Sequence, residues 1–211
     1  MTGTKQRLIE GALEVIRSQG ITAVSARSVA SAAEANQALI FYHFGNVEEL
    51  IAQTCVTATE SRVDEYRERF AAVSTLTELL ALGQTVLVEE RAEGNLVVLA
   101  QTLAGAQRGG RLAEATHEAL GKWTAEVESA LVRVLAGSPL MEFTDPRGLA
   151  RAVSAGFLGI TLFESVDPAG GEQALAALTQ LATLADVIDD LGPVATRAVR
   201  AKLRAVTKAR R

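Results

Sequence analysis

Apolar residues recur at three- and four-residue intervals along most of this chain, the period of amphipathic helices. Between Lys5 and Gln19, the residues Ile9, Ala12, Leu13 and Ile16 fall at i, i+3, i+4 and i+7, on one face, and Gly20 follows as a stop signal. Asn46 to Val73, Leu76 to Arg91, Leu96 to Gln107 and Leu112 to Ala136 each predict a helix. The breaks between the later ones fall at Glu93-Gly94-Asn95 and Arg108-Gly109-Gly110. Asp145-Pro146, an N-cap followed by proline at the first helical position, opens Arg147 to Ser165. That helix is rich in small residues, Ala152, Ser154, Ala155, Gly156 and Gly159, which let helices approach closely. Asp167-Pro168-Ala169-Gly170-Gly171 is expected to break the chain before the last long helix, Glu172 to Leu191. There Leu175, Leu178, Leu181, Ala182, Leu184, Ala185, Ile188 and Leu191 cover more than one stripe, so both sides are expected to be buried. A central position in a monomer satisfies that pattern. A two-helix surface meeting its twin across a two-fold axis, as a four-helix bundle, also satisfies it and is the preferred reading.

The stretch Ser25 to Leu50, SARSVASAAEANQALIFYHFGNVEEL, is built differently. Ser25 is a good N-cap for a short helix through Val29 and Ala30. Asn36 is a second, opening Gln37 to Phe44, and Asn46 with Glu49 three residues on forms a capping-box-like pair. Two short helices joined across Ala33 to Asn36 have helix-turn-helix spacing, in which the second helix enters the DNA major groove. Its first exposed side chains would be Asn36, Gln37 and Ala38. Glutamine can bond adenine through N6 and N7 together, and alanine can pack on a thymine methyl. Val24, Val29, Ala33, Ile40 and Phe44 are expected to complete a small three-helix core with the first helix. Phe41 is expected to join Phe44 in that core, with Tyr42 projecting elsewhere as the better DNA contact.

At these residues the chain resembles the N-terminal domain of TetR-family transcriptional repressors. Their turn and recognition helix run Gly-Val-Ser, a few variable residues, Leu-Tyr-x-His-Phe, then a small residue, Lys, Glu and Leu. Ile40-Phe41-Tyr42-His43-Phe44 and Asn46-Val47-Glu48-Glu49-Leu50 stand in those places. Glu34 replaces the turn glycine, Phe41 a tyrosine whose hydroxyl reaches phosphate, and Val47 a phosphate-binding lysine. The resemblance covers the first quarter of the chain strongly, and the remainder only as an all-helical pattern. It implies an all-α homodimer: residues 1–50 as a three-helix helix-turn-helix DNA-binding domain, and residues 51–211 as a helical effector-binding and dimerisation domain. It also implies DNA contacts from Ser25, Ala26, Arg27, Asn36, Gln37, Ala38, Phe41, Tyr42 and His43. Ser25, Arg27 and His43 are assigned to phosphates, and Asn36, Gln37, Ala38 and Tyr42 to bases. A favourable place at the helix C-terminal dipole is compatible with that role for His43.

Composition changes this picture little and charge changes it more. At 211 residues with 48% apolar residues and four prolines, the chain has enough material for a sizeable helical core. One cysteine, Cys55, fits a reducing compartment and a small buried residue. MTGTKQRLIEGALEV lacks the apolar core and cleavage site of a signal peptide, and Leu149 to Phe163 is too short to span a bilayer. A cytoplasmic protein with no membrane partner is expected. Residues 1–50 hold four basic and five acidic side chains, a balance of −1 and a weak footprint for a DNA reader. Lys5 and Arg7 either touch phosphate or are solvated surface charges. The last 18 residues carry seven basic side chains and no acid. Arg197, Arg200, Arg204, Lys208 and Arg211 share one face there, opposite an apolar stripe of Ala195, Val199, Leu203 and Val206. Such a helix can serve DNA, anionic lipid or an acidic partner, or can simply cover the core with a solvated face.

Little here points to catalysis. Glu114 and His117 have the Glu-x-x-His spacing of di-metal carboxylate bundles, but the second copy those sites need is missing, since Ile40 precedes His43 by three. No phosphate-binding loop or nucleophile elbow is present, so no catalytic residue, metal or cofactor is expected. Polar groups in apolar surroundings, Gln84, Gln101, Thr102, Trp123 and Glu164, are candidates for a small-molecule effector pocket. The expected function is sequence-specific transcriptional regulation, with release from a palindromic operator by an effector. The alternative is a ligand-sensing helical dimer that acts through a protein partner and binds DNA little.

Overall fold

The computed structural model describes residues 3–164 and 166–209; all of its regular elements are helical. Ser165, Arg210 and Arg211, which the sequence assigns to a helix end and to the basic tail, lie outside the described residues. Ten α-helices follow in order: α1 (Thr4–Gln19), α2 (Ala26–Ala32), α3 (Ala38–Phe44), α4 (Val47–Ala72), α5 (Leu76–Ala92), α6 (Asn95–Ala106), α7 (Gly110–Val134), α8 (Pro146–Glu164), α9 (Pro168–Asp189) and α10 (Pro193–Ala209). Single 3₁₀ turns at Ile21–Ala23 and Met141–Phe143 precede α2 and α8. The chain divides into two compact units. One holds the chain up to Glu65 together with Leu87–Trp123, and the other holds Tyr66–Val86 with the chain from Thr124 onward.

In the first unit α1, α2 and α3 enclose a core of Leu8, Ile9, Ala12, Val29, Ala30, Ala33, Ile40, Phe44 and Leu50. The α1 face reaches further than the i, i+3, i+4 pattern, with Leu8 and Val15 buried and Leu13 only half-buried. Gly11 explains how closely α1 meets the end of α2: a Cβ there would stand 3.0 Å from the backbone nitrogen of Ala33. Cys55 is buried as expected, its sulfur 3.6 Å from the Thr102 hydroxyl, and burial pushes its thiol pKa up.

A polar chain ties the same unit together beneath that core. Glu90, only 6% exposed, accepts from Arg62 Nε at 2.6 Å and from Asn95 Nδ2 at 2.8 Å. Asn95 in turn accepts through Oδ1 from Arg17 Nη2 at 2.5 Å. Four helices are thereby joined, α4 through Arg62, α5 through Glu90, α6 through Asn95 and α1 through Arg17. Gln101 Oε1 adds a bond from the backbone N–H of Ile21 at 2.6 Å, which holds α6 against the 3₁₀ turn.

The second unit packs Tyr66, Phe70, Val73, Leu79, Val127, Ala130, Leu131, Leu135, Ala150, Ile160 and Ala182 as its buried apolar residues. Asp186 of α9 accepts from the N–H groups of Leu76 at 2.9 Å and Thr77 at 3.0 Å, satisfying two orphan donors at the start of α5. Helices α8 and α9 pack along each other, but not through the small residues of α8: Ala152 and Ala155 are exposed, and a Cβ at Gly156 or Gly159 would meet nothing within 4 Å. The predicted break at Asp167–Gly171 holds at Asp167, which lies outside both helices, but does not extend to Gly171. Asp167 accepts from the N–H of Gly170 as an N-cap, Pro168 takes the first helical position, and α9 begins there with Ala169, Gly170 and Gly171 in its opening turns. Proline and glycine were read as breakers, but the cap makes them a helix start.

One side of α9 stays open, with Leu181, Leu184 and Val187 exposed, as are Leu162 and Phe163 at the end of α8. The tail helix α10 half-buries Val199 and Leu203, while Arg204 forks onto the Glu142 carboxylate and Arg200 donates to the Gly137 carbonyl. No helix among the described residues is long and apolar enough to cross a membrane.

Glu90→Ala is expected to lower stability by about 2 kcal/mol, because half-buried Arg62 and Asn95 would lose a charged acceptor, although Glu65 and Glu93 stay within reach of the guanidinium. Urea unfolding with equal m-values for the two proteins would read the loss directly. A change below about 0.5 kcal/mol, the level of an ordinary surface substitution, would mean that the carboxylate is dispensable.

Candidate nucleic-acid interface

Local capping, more than helix propensity, places the reading surface. Ser25 Oγ accepts from the Ser28 N–H at 3.1 Å, while Ser28 Oγ accepts from the Ser25 N–H at 2.9 Å, closing a reciprocal box at the start of α2. The Ser25 hydroxyl is thus part of the cap, at an exposed position. Ala26 packs against the core, and Arg27 beside it is exposed and forms no ion pair with any described residue.

The turn that follows depends on Glu34. Its φ of +48 is the one positive value at a non-glycine position among the described residues. Ala35 N–H bonds back to the Ala30 carbonyl at 2.9 Å and Glu34 N–H to the Ser31 carbonyl at 3.3 Å. This is the paired-bond helix ending that usually puts glycine where Glu34 stands. The turn therefore keeps the glycine geometry without the glycine, and the Cβ of Glu34 carries the steric cost.

Asn36 caps α3 as expected, accepting from the Ala38 N–H through Oδ1 at 2.8 Å, although the helix begins at Ala38 rather than Gln37. Bonds from Leu39 N–H to the Asn36 carbonyl and from Ile40 N–H to the Gln37 carbonyl tighten that first turn. At the other end Gly45, with φ +76, donates to the Phe41 carbonyl at 2.9 Å. Asn46 Oδ1 then accepts from the Glu49 N–H at 2.8 Å to open α4.

The result is a seven-residue helix with two distinct sides. Ile40 and Phe44 are buried, whereas Asn36, Gln37, Ala38, Phe41 and Tyr42 are all exposed. Phe41 is 52% exposed and Tyr42 81%, so the expectation of Phe41 in the core is corrected. The i, i+4 pair facing inward is Ile40 and Phe44, and Phe41 lies about 100° around the helix from Ile40. His43 is half-buried, its ring edge-on to Tyr42 with centroids 4.9 Å apart. Lys5 of α1 lies over the Phe44 ring, its Nζ 5.5 Å from the centroid, which holds an exposed cation beside α3. Arg7 is exposed as well.

One electrostatic feature gave no signal in the sequence. Glu49 in the first turn of α4 is forked by Arg111, 62 residues away, with Nε to Oε2 at 2.8 Å and Nη2 to Oε1 at 3.4 Å. That guanidinium, seconded by a hydrogen bond from Gln53, holds the Glu49 carboxyl below its ordinary value. The acidic count of the first 50 residues therefore overstates the negative charge the surface presents.

The candidate effector residues are divided between the units. Gln101, Thr102 and Trp123 belong to the first, and Gln84 and Glu164 to the second. Thr102 is buried and donates to the Val98 carbonyl at 2.7 Å, and Gln101 is held by Ile21. Gln84 donates to the Thr179 hydroxyl at 3.3 Å, and Trp123 and Glu164 are half-buried. Among the described residues no group of three His, Cys, Asp or Glu side chains converges as a metal site would require.

Residues 8–54, from α1 into α4, match the family model described as bacterial regulatory proteins, tetR family. An uncharacterized HTH-type transcriptional regulator of Mycobacterium tuberculosis (strain ATCC 25618 / H37Rv) is 22% identical over 182 residues, which cover 85% of this chain and 93% of that protein. The crystal structure of the multidrug binding protein EbrR complexed with imidazole aligns with a TM-score of 0.64 at 26% identity, over 86% of this chain and 96% of that one. The regulator FadR from Bacillus subtilis, in complex with stearoyl-CoA, aligns with a TM-score of 0.67 at 16% identity, over 87% of this chain and 97% of that one.

Two outcomes test the site's construction. Glu34→Gly is expected to stabilise the protein by about 1 kcal/mol by removing the left-handed penalty, seen as a higher melting temperature; a lower one would show that the turn needs the side chain. The pair made by Glu49 contributes stability above the ordinary carboxyl value of 4.5 and loses it as pH falls through the depressed folded value. Melting temperatures of the wild type and Glu49→Gln should therefore differ by a constant amount above pH 4.5 and converge below it. A gap that stays constant into the acid range would remove the pair as its cause.

Proposed function

For a chain that belongs to the tetR family of bacterial regulatory proteins, a family of regulators rather than enzymes, we propose a sequence-specific DNA-binding repressor released from a palindromic operator by a small-molecule effector. The observation that carries this reading is the exposed side of α3, where Asn36, Gln37, Ala38, Phe41 and Tyr42 stand free of the core that positions them. A short helix held rigidly on one side and open on the other is what insertion into a major groove requires. In this reading residues 1–50 form the DNA-binding domain and residues 51–211 the effector-binding and dimerisation domain. Asn36, Gln37, Ala38 and Tyr42 meet bases; Ser25, Arg27 and His43, with Lys5 and Arg7 beside them, meet phosphates, and Ala26 brings the start of α2 to the backbone.

The exposed apolar residues Leu181, Leu184 and Val187 of α9, with Leu162 and Phe163 of α8, support a homodimer in which a second copy covers them. Two-fold symmetry then implies two half-sites about one helical turn, or a multiple of it, apart. The effector is proposed to be an apolar small molecule bound within residues 51–211. The imidazole bound to EbrR and the stearoyl-CoA bound to FadR support ligand binding in proteins of this fold. An effector that favours a dimer arrangement ill-suited to DNA weakens DNA binding by the factor by which DNA weakens its own binding. The protein works where its DNA is, in the cytoplasm.

Purified protein titrated against DNA upstream of its own gene, at several salt concentrations, tests the reading. Binding that beats a scrambled duplex at physiological salt supports it, and the salt slope counts the phosphates neutralised. Binding that never discriminates sequence, on this DNA or on a random library, would leave the alternative of a ligand-sensing dimer acting through a protein partner. Gln37→Ala is expected to relax base preference at one position per half-site by about 1–3 kcal/mol. Equal loss on every sequence would make Gln37 a backbone contact instead.

A further inference from the structure

The exposed side of α3 joins two chemistries. Asn36, Gln37 and Tyr42 end in groups that can donate and accept hydrogen bonds. Ala38 and Phe41 have none, yet they lie three residues apart on the same helix, which makes them neighbours on one face. Phe41 is 52% exposed and takes no part in the α1–α2–α3 core, which is closed by Ile40 and Phe44. Folding does not demand a phenyl ring at this position. A smaller or polar side chain would leave the core untouched and would remove apolar surface from water. The ring can hydrogen-bond neither a phosphate nor a base edge, so any role on this face must be an apolar contact. The major groove presents one apolar feature, the C5 methyl group of thymine.

We propose that Ala38 and Phe41 form a methyl-reading patch that selects a thymine in each half-site by its C5 methyl group. The inference rests on the DNA-binding reading above and deepens it by naming what this part of the helix recognises. Gln37 and Ala38 sit at the start of the helix, and Phe41 lies one turn further along the same exposed face. The hydrogen-bonding and methyl-reading contacts therefore fall on adjacent base pairs. At the methyl-read position the penalty for a wrong base comes from lost apolar burial rather than from an orphaned polar group. Discrimination there is milder than at the Gln37 position, because one methyl group carries less free energy than a bidentate hydrogen-bonded pair.

The test starts from the full-length protein enriching duplexes out of a random library. The consensus duplex is then synthesised with each thymine in turn replaced by deoxyuridine, which deletes the methyl group and keeps every hydrogen-bonding atom. One thymine per half-site should prove sensitive, with uracil there weakening binding about fourfold, the value of one buried methyl-sized group. Phe41→Ala should bind the thymine and uracil duplexes equally, and Phe41→Leu should keep part of the difference. Both variants should melt as the wild type does, since the ring lies outside the core. If no thymine is sensitive, or if Phe41→Ala retains the full difference, the patch is overturned while DNA reading stands. If no sequence is enriched over the starting library, the DNA-binding reading falls and takes this inference with it.

Discussion

Glu90 is a carboxylate almost wholly removed from water, and the first unit is arranged so that it can stay there. Taking such a charge out of solvent costs several kcal/mol after all relaxation, so its partners must be held in place rather than merely available. Arg62 comes from the middle of α4 and Asn95 from the first residue of α6. A single charge thus sets the relative positions of three helices. Asn95 passes the constraint on to Arg17, and so to α1. Because Leu8, Ile9 and Ala12 of α1 pack with α2 and α3 in one core, the placement of α3 depends, through α1, on one buried acid.

The reading helix itself has little means of support. Seven residues are far too few for a helix to persist alone in water. It is held by two buried side chains and by caps at both ends, from Asn36 at one and from Gly45 at the other. Its electrostatic setting also differs from what counting charges suggests. Arg111 neutralises Glu49, and Lys5 is held beside α3 by the face of Phe44. A surface that totals −1 in sequence holds one cation, Lys5, beside α3 and ties up one acid by a distant partner.

What could be read from the sequence divides along a physical line. Caps and turns are local chemistry, so Ser25, Asn36, Asn46 and Gly20 announced the ends of helices before any contact was known. The long helices were equally legible from their apolar period, and the core of Val29, Ala33, Ile40 and Phe44 followed from helix geometry. Phe41 was misread because Ile40-Phe41-Tyr42-His43-Phe44 is an almost unbroken apolar run. Such a run carries no period to say which ring turns inward, and only the packing of α1 decides it. The extent of the break after Asp167 was misread because proline and glycine break a helix interior but suit a capped start. Glu90, Arg62, Asn95 and Arg111 were invisible for another reason. Arg62 and Glu90 lie 28 residues apart, Arg17 and Asn95 lie 78 apart, and no local rule couples positions at that range.

The two-sided character of α3 has a consequence for how such a protein can change over generations. The residues that hold the helix in place, Ile40 and Phe44, are not the residues it displays. Substitution at Gln37, Ala38, Phe41 or Tyr42 leaves the core and the caps as they are, and none of these side chains holds another element in position. The displayed set is therefore free to drift, duplicate and diverge without passing through unfolded ancestors. On the DNA-reading proposal above, a gene copied within one genome could acquire a new address on the chromosome through a handful of exposed changes. Its architecture would be inherited intact.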